Sequence, residues 1–478
     1  MLTKHRKTQL YLRRKLKSMI TINRTATILA IAAILIFPSK VKAQQFLTGH
    51  HDSVFTEYFR LNSGGWTAGD ATLSVPLPDG RTIWLFGDSY LENVNTVNNT
   101  LSCLFQIRNC MVVQDSIDPS VLTTYIDEGQ SGVLRSTFKL GPSDPAILWP
   151  GHGFTDADTA YIYLDEIDDA SMDNLGVYVA KLQLPGLQIN GIYPLPEYAG
   201  ILMGRAIITD TASGYRYIYG NKVDWIVWEP FVARTLIGTN ILAPYQFYTG
   251  SGWSYNPYAA APVSNEYVSP GFSVFKMNNK FYLLTQENGL LTCGLGREIY
   301  ILESDKPWGP FRNKQLVYTI EDQFNGHYTL TYNAQAHPSF TENGELLVSY
   351  NLNDVVDTTE PYICPSQCMD IGRDRMDADT YRPKFIRVPM LNVSADDATP
   401  AANVIANPNP VLSGNPFMLT GLSGPFNMTI FDITGKERVK YTLVDSSHEF
   451  TPHLPPGVYI LKVNSKKHTS ITIKLLIT

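Results

Sequence analysis

Two acidic residues, Asp70 and Asp88, lie in the stretch WTAGDATLSVPLPDGRTIWLFGDSY. The pattern predicts a loop carrying Asp70, a strand over 72–77, a tight turn over 78–80 and a second strand over 82–86. Both carboxyl groups should therefore lie at one end of a hairpin, where such groups can act as general acids or bases. Alternatively, Asp70 accepts backbone N–H groups of the following turn, and Asp88 is expected to cap a turn through its side chain.

This hairpin is the first of five units that share one pattern: a polar or glycine-containing start, a short apolar strand, a turn and an aromatic-rich strand. The five turns read PDG, DADT, TASG, MNN and TENG. Repetition at roughly 60-residue spacing without helical periodicity predicts an all-β fold with a five-bladed β-propeller over residues 48–390. In that fold the starts of the five hairpins converge on one axis. The alternative is an open β-sandwich with coincidental hairpins.

The composition excludes some functions. Charged residues make up 17% of the 478 residues and the net charge is -6, whereas Tyr (27), Phe (21) and Gly (34) are plentiful. This mixture favours strands and turns, and the absence of a basic excess argues against nucleic acid as a partner. No GxxxxGK, dinucleotide fingerprint or GxSxG motif is present. We expect a monomer.

Residues 1–43 have the features of a secretory signal peptide with an extended basic leader. The apolar run ATILAIAAILIFP follows a basic start and precedes VKA, which suits cleavage after Ala43. The run is too short to span a bilayer, although a membrane anchor is the alternative. Translation could begin at Met1 or at Met19. The sequence therefore predicts export.

Five cysteines in an exported chain leave at least one unpaired. Cys364 and Cys368, in CPSQC, are predicted to form a disulfide across a loop, with two free thiols as the alternative. Cys103 and Cys110 would face opposite sides of one continuous strand and could not bridge each other. Zinc is disfavoured because no second ligand pair has matching spacing.

The C-terminal part of the chain has a different character. Residues 391–406 are small, polar and proline-containing, as in interdomain linkers, and 407–478 read as the short strands of a small β-sandwich. The motifs NPNP, FDITGK and PGVYILKV resemble the sorting domain of type IX secretion in Bacteroidetes. The resemblance implies a protein secreted or held at the outer cell surface through the type IX machinery. The alternative is a C-terminal binding sandwich.

The central region resembles Bacteroidetes propeller domains of unknown function that are related to the five-bladed glycoside hydrolases, including family 43. The segments that match are GDATLSVPLPDGRTIWLFGDS, GYRYIYG, TGSGWS, NNKFYLL, KPWGPF, AQAHPSF and LLVSYN. The resemblance implies a carbohydrate-active protein whose partner is a poly- or oligosaccharide. It is either a glycoside hydrolase or a non-catalytic protein for glycan binding or surface display.

The resemblance also assigns residues. Asp70 matches the general base of the first blade, and His337 matches a histidine near the axis in the fifth. His152 stands where the second blade of the hydrolases has an acid that tunes pKa. Arg205 stands where their third blade has the acid that protonates the leaving sugar, so this acid must come from elsewhere. Glu266 is the predicted replacement.

Glycoside hydrolysis needs two carboxyl groups roughly 5 to 9.5 Å apart across the scissile bond. Glu266 is the acid nearest to the fourth hairpin start, and together with Asp70 it forms the predicted catalytic pair. Glu287, at the end of the returning strand, is the second candidate. A glutamate beside a solvated loop is otherwise simply solvated.

Aromatic and basic residues are predicted to contact the substrate. Several rings should lie in loops before hairpin starts, where they suit the apolar faces of sugars or, alternatively, fill space between blades. These rings are Trp66, Trp149, Tyr245, Trp253 and Tyr255. The predicted substrate-binding set is Trp66, His152, Arg205, Tyr245, Trp253 and His337. Arg205 and Arg234 would favour an acidic sugar if either reached the cleft.

His152 and His337, with Asp70, could hold a cation, and a calcium or sodium ion near the axis is the cofactor expectation. No HxH or HExxH spacing supports a dedicated metal site. Ion-bridged packing and a water-linked central histidine are the simpler alternatives, of which the second is preferred.

Overall fold

The computed structural model describes residues 46–92, 94–127, 133–141, 146–224, 227–242, 244–287, 296–355, 374–390, 405–420, 425–432, 436–444, 448–465 and 471–478. The chain divides into two compact units, Met1–Asn392 and Val393–Thr478. Helical structure in these ranges is limited to α1 (Ser53–Tyr58) and the 3₁₀ turns Pro257–Ala259 and Ala378–Thr380. The prediction of an all-β chain is confirmed.

No helix in the described part of the chain is both long enough and apolar enough to cross a membrane.

The strands of the first unit follow one another in short antiparallel runs. In chain order they are β1 (His50–His51), β2 (Trp66–Gly69), β3 (Leu73–Pro76), β4 (Thr82–Phe86), β5 (Ser89–Leu91), β6 (Thr100–Ser102), β7 (Cys110–Gln114), β8 (Leu122–Tyr125), β9 (Ile147–Asp156), β10 (Thr159–Ile167), β11 (Asn174–Gln183), β12 (Gln188–Pro194), β13 (Leu202–Asp210), β14 (Tyr215–Asp224), β15 (Val227–Leu236), β16 (Gln246–Tyr248), β17 (Trp253–Ser254), β18 (Ser273–Met277), β19 (Lys280–Gln286), β20 (Glu298–Ser304), β21 (Arg312–Thr319), β22 (Gln323–Phe324), β23 (His327–Glu342), β24 (Glu345–Val355), β25 (Arg375–Asp377) and β26 (Lys384–Pro389).

Five sheets of four or five strands make up most of this unit. Their strand orders are β3-β4-β7-β8, β9-β10-β11-β12, β13-β14-β15-β16-β17, β18-β19-β20-β21 and β22-β23-β24-β26-β1. Two smaller pairs, β2–β5 and β6–β25, complete it. Each large sheet contains one of the five predicted hairpins, from β3–β4 to β23–β24.

The turn residues explain these hairpins. Asp79 accepts a hydrogen bond from the Arg81 backbone N–H (3.1 Å), and Gly80 adopts a φ of 88° that suits glycine. Asn278 and Asn279, in the MNN turn, take left-handed φ values of 49° and 60°, a region that asparagine tolerates. The predicted turns therefore form from local chemistry.

The first strands of the hairpins contact one another in succession: β3 meets β9, β9 meets β13, β13 meets β18, β18 meets β23, and β23 meets β3. An apolar core lies between each two successive sheets, including the last and the first. Representative core pairs are Val75 with Ile162, Val179 with Ile218, Tyr219 with Leu283, Leu284 with Val348, and Phe385 with Trp84. Apolar burial therefore links every sheet to two others.

The fifth sheet combines segments from near both ends of the unit. In β1, His50 pairs with Arg387 of β26, and just beyond it Asp52 forms an ion pair with Arg387 (2.7 Å). Asp52 also caps α1 by accepting the Phe55 backbone N–H (2.8 Å). The N-terminal strand is thus held to the last sheet.

The second unit has two sheets around one apolar core, which includes Phe417, Ile430, Phe450 and Leu461. The sheet orders are β27-β28-β31 and β30-β29-β32-β33. The strands are β27 (Ile405–Asn407), β28 (Phe417–Thr420), β29 (Phe426–Asp432), β30 (Glu437–Val444), β31 (Glu449–Phe450), β32 (Gly457–Ser465) and β33 (Ile471–Ile477).

The structure tests one of the two predictions made about pairs of cysteines. Cys110 is a buried free thiol in β7, whereas Cys103 is disulfide-bonded. The prediction that these two do not bridge each other is confirmed. The predicted pair, Cys364 and Cys368, lies outside the described residues.

Candidate functional site

A cleft of about 1070 Å³ opens where the five large sheets meet. Each sheet supplies part of its lining, and the residues combine aromatic rings, carboxyl groups and amides, as binding sites for polar ligands do. Lining residues used below are Asp70, Gly87, Trp149, Asp165, Asp173, Arg205, Trp228, Glu287 and Tyr332.

A constrained backbone positions Asp70, which directly follows β2. Its N–H donates to the Asp88 carbonyl (3.3 Å), and its own carbonyl accepts from the Gly87 N–H (3.0 Å). The next two residues, Ala71 and Thr72, have φ values of 73° and 55°. Positive φ values are uncommon for residues other than glycine, and they are rarest for β-branched residues such as Thr72. They occur where the surrounding structure enforces them, often at functional sites. The loop therefore turns sharply after Asp70.

Asp70 is half-buried and belongs to the cleft lining. Tyr332, on β23, donates its hydroxyl hydrogen to Asp70 Oδ2 (2.8 Å). Burial and then the charge of Asp88 raise the pKa of Asp70 to about 7, against the hydrogen bond from Tyr332. A carboxyl group with this pKa can exchange a proton near neutral pH.

Asp88 is the neighbour that sequence reasoning assigned only to a turn. It is buried, accepts a hydrogen bond from Trp149 Nε1 (3.2 Å) and pairs with Arg108 Nε (3.3 Å). Burial raises the pKa of Asp88 to about 6, although Arg108 and Trp149 oppose the change. The sequence predicted that Asp88 and Asp70 lie at the same end of one hairpin. The raised pKa of Asp88 could not be predicted in the same way, because it depends on burial in the folded protein.

These pKa values predict how stability depends on pH. Because the pKa of Asp70 rises from 3.8 to about 7, the folded protein keeps a proton that the unfolded chain loses, and stability falls as pH rises through this window. Asp70→Asn carries no such charge. We expect it to exceed the wild type in stability by on the order of 1–3 kcal/mol at about pH 8, and to approach it at about pH 4.

Thermal denaturation at both pH values measures this difference. Asp305→Asn is the matched control, because the Asp305 side chain is 87% exposed. The control should keep the wild-type pH dependence, and the same dependence in Asp70→Asn would contradict the prediction.

Arg205, on β13, is part of the cleft lining, but its guanidinium group is already paired. Nη1 donates to Asp165 Oδ2 in a short ion pair, and Nε donates to Asn221 Oδ1 (3.3 Å). Arg234 lies away from the cleft lining, stacked on Tyr215 and Trp253. Neither arginine offers an unpaired guanidinium group to an acidic sugar.

The two histidines have different environments. His337 is fully buried, with Nδ1 bonded to Ser74 Oγ (2.7 Å) and Nε2 to Ser349 Oγ (2.8 Å). Burial, with a smaller effect from nearby His152, lowers the pKa of His337 to about 3. Because both ring nitrogens are engaged, the predicted contact of His337 with substrate or an ion does not fit.

His152, on β9, keeps partial exposure next to Gly151 of the cleft lining, but its Nδ1 is buried without a hydrogen-bond partner in the described part of the chain. Burial lowers the pKa of His152 to about 4. Across the described ranges, no group of three or more His, Cys, Asp and Glu side chains is placed to hold a metal ion. The predicted cation set is therefore not assembled.

Three predicted binding rings lie elsewhere. Trp66 is fully buried in β2 and stacks on Phe86 (4.2 Å between centroids), because packing against the first sheet covers it. Tyr245 is buried and shares a hydroxyl hydrogen bond with Tyr163 (2.9 Å). Trp253 lies in β17, the last strand of its sheet. Of the five candidate rings, Trp149 does belong to the cleft lining, where it is joined by Trp228, a ring that the sequence analysis did not name.

Glu266, the predicted second catalytic carboxyl, is not in the cleft. Its side chain is 48% exposed and pairs with Lys314 Nζ (3.3 Å) on β21, the outermost strand of the fourth sheet. Hydrogen bonds hold this segment against the end of the fourth sheet, since the Phe311 N–H donates to the Val263 carbonyl (2.8 Å) and Ser264 Oγ donates to the Phe311 carbonyl (3.0 Å). Glu287, the second candidate, does line the cleft, and its Oε2 accepts the Arg297 backbone N–H (3.2 Å).

Several solved structures are similar to this chain. A candidate hydrolase from Bacteroides ovatus ATCC 8483 matches at 19% identity with a TM-score of 0.55, over 73% of this chain and 97% of that chain. A GH43_1 enzyme from Xanthomonas citri complexed with xylose matches at 13% identity with a TM-score of 0.37, over 72% and 95%. A B. subtilis levansucrase variant matches at 12% identity with a TM-score of 0.41, over 87% and 96%. At 19% identity, the first similarity concerns the fold alone.

No curated protein matches the chain. Residues 52–402 match the family described as a domain of unknown function, DUF5005. This match confirms the expectation of a domain of unknown function in the central region. Because it spans more than half of the sequence, the chain belongs to the DUF5005 family.

Proposed function

We propose that this protein is a carbohydrate-active enzyme that hydrolyses glycosidic bonds of a polysaccharide. The observation that carries the proposal is Asp70, whose pKa is about 7 in a cleft lined by tryptophans and amides. Aromatic rings suit the apolar faces of sugars, and a carboxyl group with this pKa suits proton transfer.

A five-bladed propeller is the architecture we propose. The succession of strand contacts from β3 round to β23 and back to β3 supports a closed ring of five sheets, as does the apolar core between the last and first sheets. In such a ring the starts of the hairpins face a central axis. The site of Asp70 would then be the axial funnel.

In the proposed reaction a water molecule attacks the anomeric carbon while Asp70, in its ionised form, takes the proton of that water. The glycosidic bond breaks, and the leaving oxygen receives a proton from a second carboxyl group. Glu287 is our candidate for this second carboxyl group. It lines the cleft from the fourth sheet, and in the order in which the sheets contact one another the fourth sheet is not a neighbour of the first, beside which Asp70 lies. Asp165 is already paired with Arg205.

Release of reducing ends from a panel of neutral and acidic polysaccharides tests this proposal. We expect the purified chain to release sugar from at least one of them. If it released none while still binding glycans, the hydrolase assignment would fall and a binding function would replace it.

A glycan-binding protein without turnover is the second candidate. The observation in its favour is Arg205, which is ion-paired at the start of the third sheet, where the resembling hydrolases have an acid. Binding would then depend on the aromatic rings of the cleft and not on Asp70.

Both candidates predict that Trp149→Ala weakens retention on a glycan array, by about three- to tenfold in Kd, because a ring of the cleft lining is lost. Trp253→Ala is the matched control, since that ring lies in β17 outside the cleft lining. Equal effects of the two substitutions would remove Trp149 from the binding site.

We also propose export and surface delivery. The signal-like segment over residues 1–43 supports passage of the inner membrane, and the motifs within 407–478 support a type IX sorting domain. The two-sheet second unit is compatible with that role. The protein would act as a monomer, secreted or at the outer cell surface of a member of the Bacteroidetes.

A further inference from the structure

The ion pair between Asp165 and Arg205 has unused hydrogen-bonding atoms. Asp165 uses Oδ2, and Arg205 uses Nη1 and Nε. Asp165 Oδ1 and Arg205 Nη2 have no hydrogen-bond partner among the described residues, and both side chains belong to residues of the cleft lining. The pair therefore leaves one acceptor and one donor unused at the cleft.

The surrounding structure fixes this pair. The Asp165 and Arg205 side chains are only 8% and 14% exposed, and Arg205 Nε is held by Asn221. Asn221 is itself fully buried and donates to the Pro270 carbonyl (2.6 Å). A donor and an acceptor held in this way lose little side-chain freedom when a ligand binds.

An aromatic ring lies beside the pair. Trp149 on β9 is the cross-strand partner of Asp165 on β10, and its ring is fixed by donation to Asp88. Asp88, the acceptor of that hydrogen bond, is also next to Asp70, because both residues lie at the same end of one hairpin. The pair is therefore placed to hold a sugar next to the proposed reaction centre.

The charges of the cleft limit which sugars fit. Its lining carries four carboxyl-bearing residues, Asp70, Asp165, Asp173 and Glu287, whereas Arg205 is already neutralised by its pair. A ligand carboxylate would meet repulsion without a free cation to offset it. A sugar hydroxyl, which both donates and accepts, matches the two open atoms.

We propose that Asp165 and Arg205 clamp two neighbouring hydroxyl groups of an uncharged sugar ring stacked on Trp149, so that the site selects neutral glycans over uronic-acid glycans. This specificity rests on the proposed carbohydrate function.

The test compares Kd values for neutral xylo-, cello- and manno-oligosaccharides with those for oligogalacturonides of the same length. The wild type should prefer a neutral series by about tenfold or more. Asp165→Asn frees the Arg205 guanidinium for a ligand carboxylate. Neutral binding should weaken about tenfold and oligogalacturonide binding should strengthen by a similar factor.

Asp173→Asn removes the same charge from the cleft lining but frees no guanidinium, so it controls for the general electrostatic change. Should Asp165→Asn not fold, the double variant Asp165→Asn with Arg205→Gln leaves no lone buried charge. That double variant should lose neutral affinity without gaining affinity for oligogalacturonides.

The outcomes separate the two levels of the proposal. If no glycan of any series binds the wild type, the carbohydrate function falls, and this inference falls with it. If glycans bind but Asp165→Asn and Asp173→Asn shift selectivity equally, or if the wild type prefers oligogalacturonides, the clamp alone is overturned. A gain of oligogalacturonide affinity confined to Asp165→Asn supports it.

Discussion

Replacing Asp70 with asparagine should lower the rate of glycosidic bond hydrolysis by about 10²–10⁴-fold, the usual contribution of a general base. The amide has nearly the same shape, and its oxygen can still accept the hydrogen bond that Tyr332 donates at 2.8 Å. It cannot take the proton of the attacking water. The measurement is kcat/KM on the polysaccharide found by the panel, and undiminished activity in a folded variant would remove Asp70 from the mechanism.

The pH profile of the wild type gives an independent check on the same residue. Because the pKa of Asp70 is about 7, its ionised form prevails only above that pH, so kcat/KM should follow a bell-shaped pH profile. The rising limb reports ionisation of Asp70, and the falling limb reports loss of the proton from the second carboxyl group. Asp88→Asn removes the charge of Asp88, which is the second cause of the raised pKa of Asp70, whereas burial, the first cause, remains. The rise should move to lower pH without disappearing, and a profile insensitive to Asp88 would point to another titrating group.

Gly87→Ala should lower activity by about 10²-fold without altering any group that exchanges protons, because small displacements of a catalytic group have effects of this size. A Cβ at Gly87 would overlap Asp70 Oδ1, whereas its next contact outside that side chain, Trp149 Cδ1, would lie at an ordinary 3.6 Å. The carboxyl group must therefore move while the ring can stay. Activity is measured as kcat/KM beside an unchanged circular dichroism spectrum.

Gly141→Ala is the matched control for this substitution, because no atom of the residues that the structure describes would lie within 4 Å of a Cβ there. We expect wild-type activity from it. If Gly87→Ala were equally active, the position of the Asp70 carboxyl group would not matter to the reaction.

The hairpins could be predicted from the sequence because their causes are local. The Pro78, Asp79 and Gly80 turn and the MNN turn have residues that suit their backbone angles, and β4 spans the predicted residues 82–86. Alternation of apolar residues then decides which face of each strand is buried. These signals lie within a few residues of one another.

The site was harder to predict because exposure depends on residues far away in the chain. Trp66 resembles a loop ring in the sequence, but packing against Phe86 buries it. His337 resembles a free axial histidine, but Ser74, 263 positions earlier, bonds its ring. Glu266 resembles a cleft acid, but the segment that carries it is bonded to Phe311, and its side chain is half-exposed outside the cleft lining.

By itself, the sequence determined that the chain would form β-hairpins and where they would turn, since turn propensity and strand alternation act over short distances. Only the tertiary structure decided which side chains share the cleft. It brought Asp70 beside Asp88 and paired Arg205 with Asp165. It also placed Trp149 next to Asp88 and Asp165. Burial and charge are properties of the assembled sheets, so the pKa of Asp70 and the choice of cleft residues arise only when the sheets pack together.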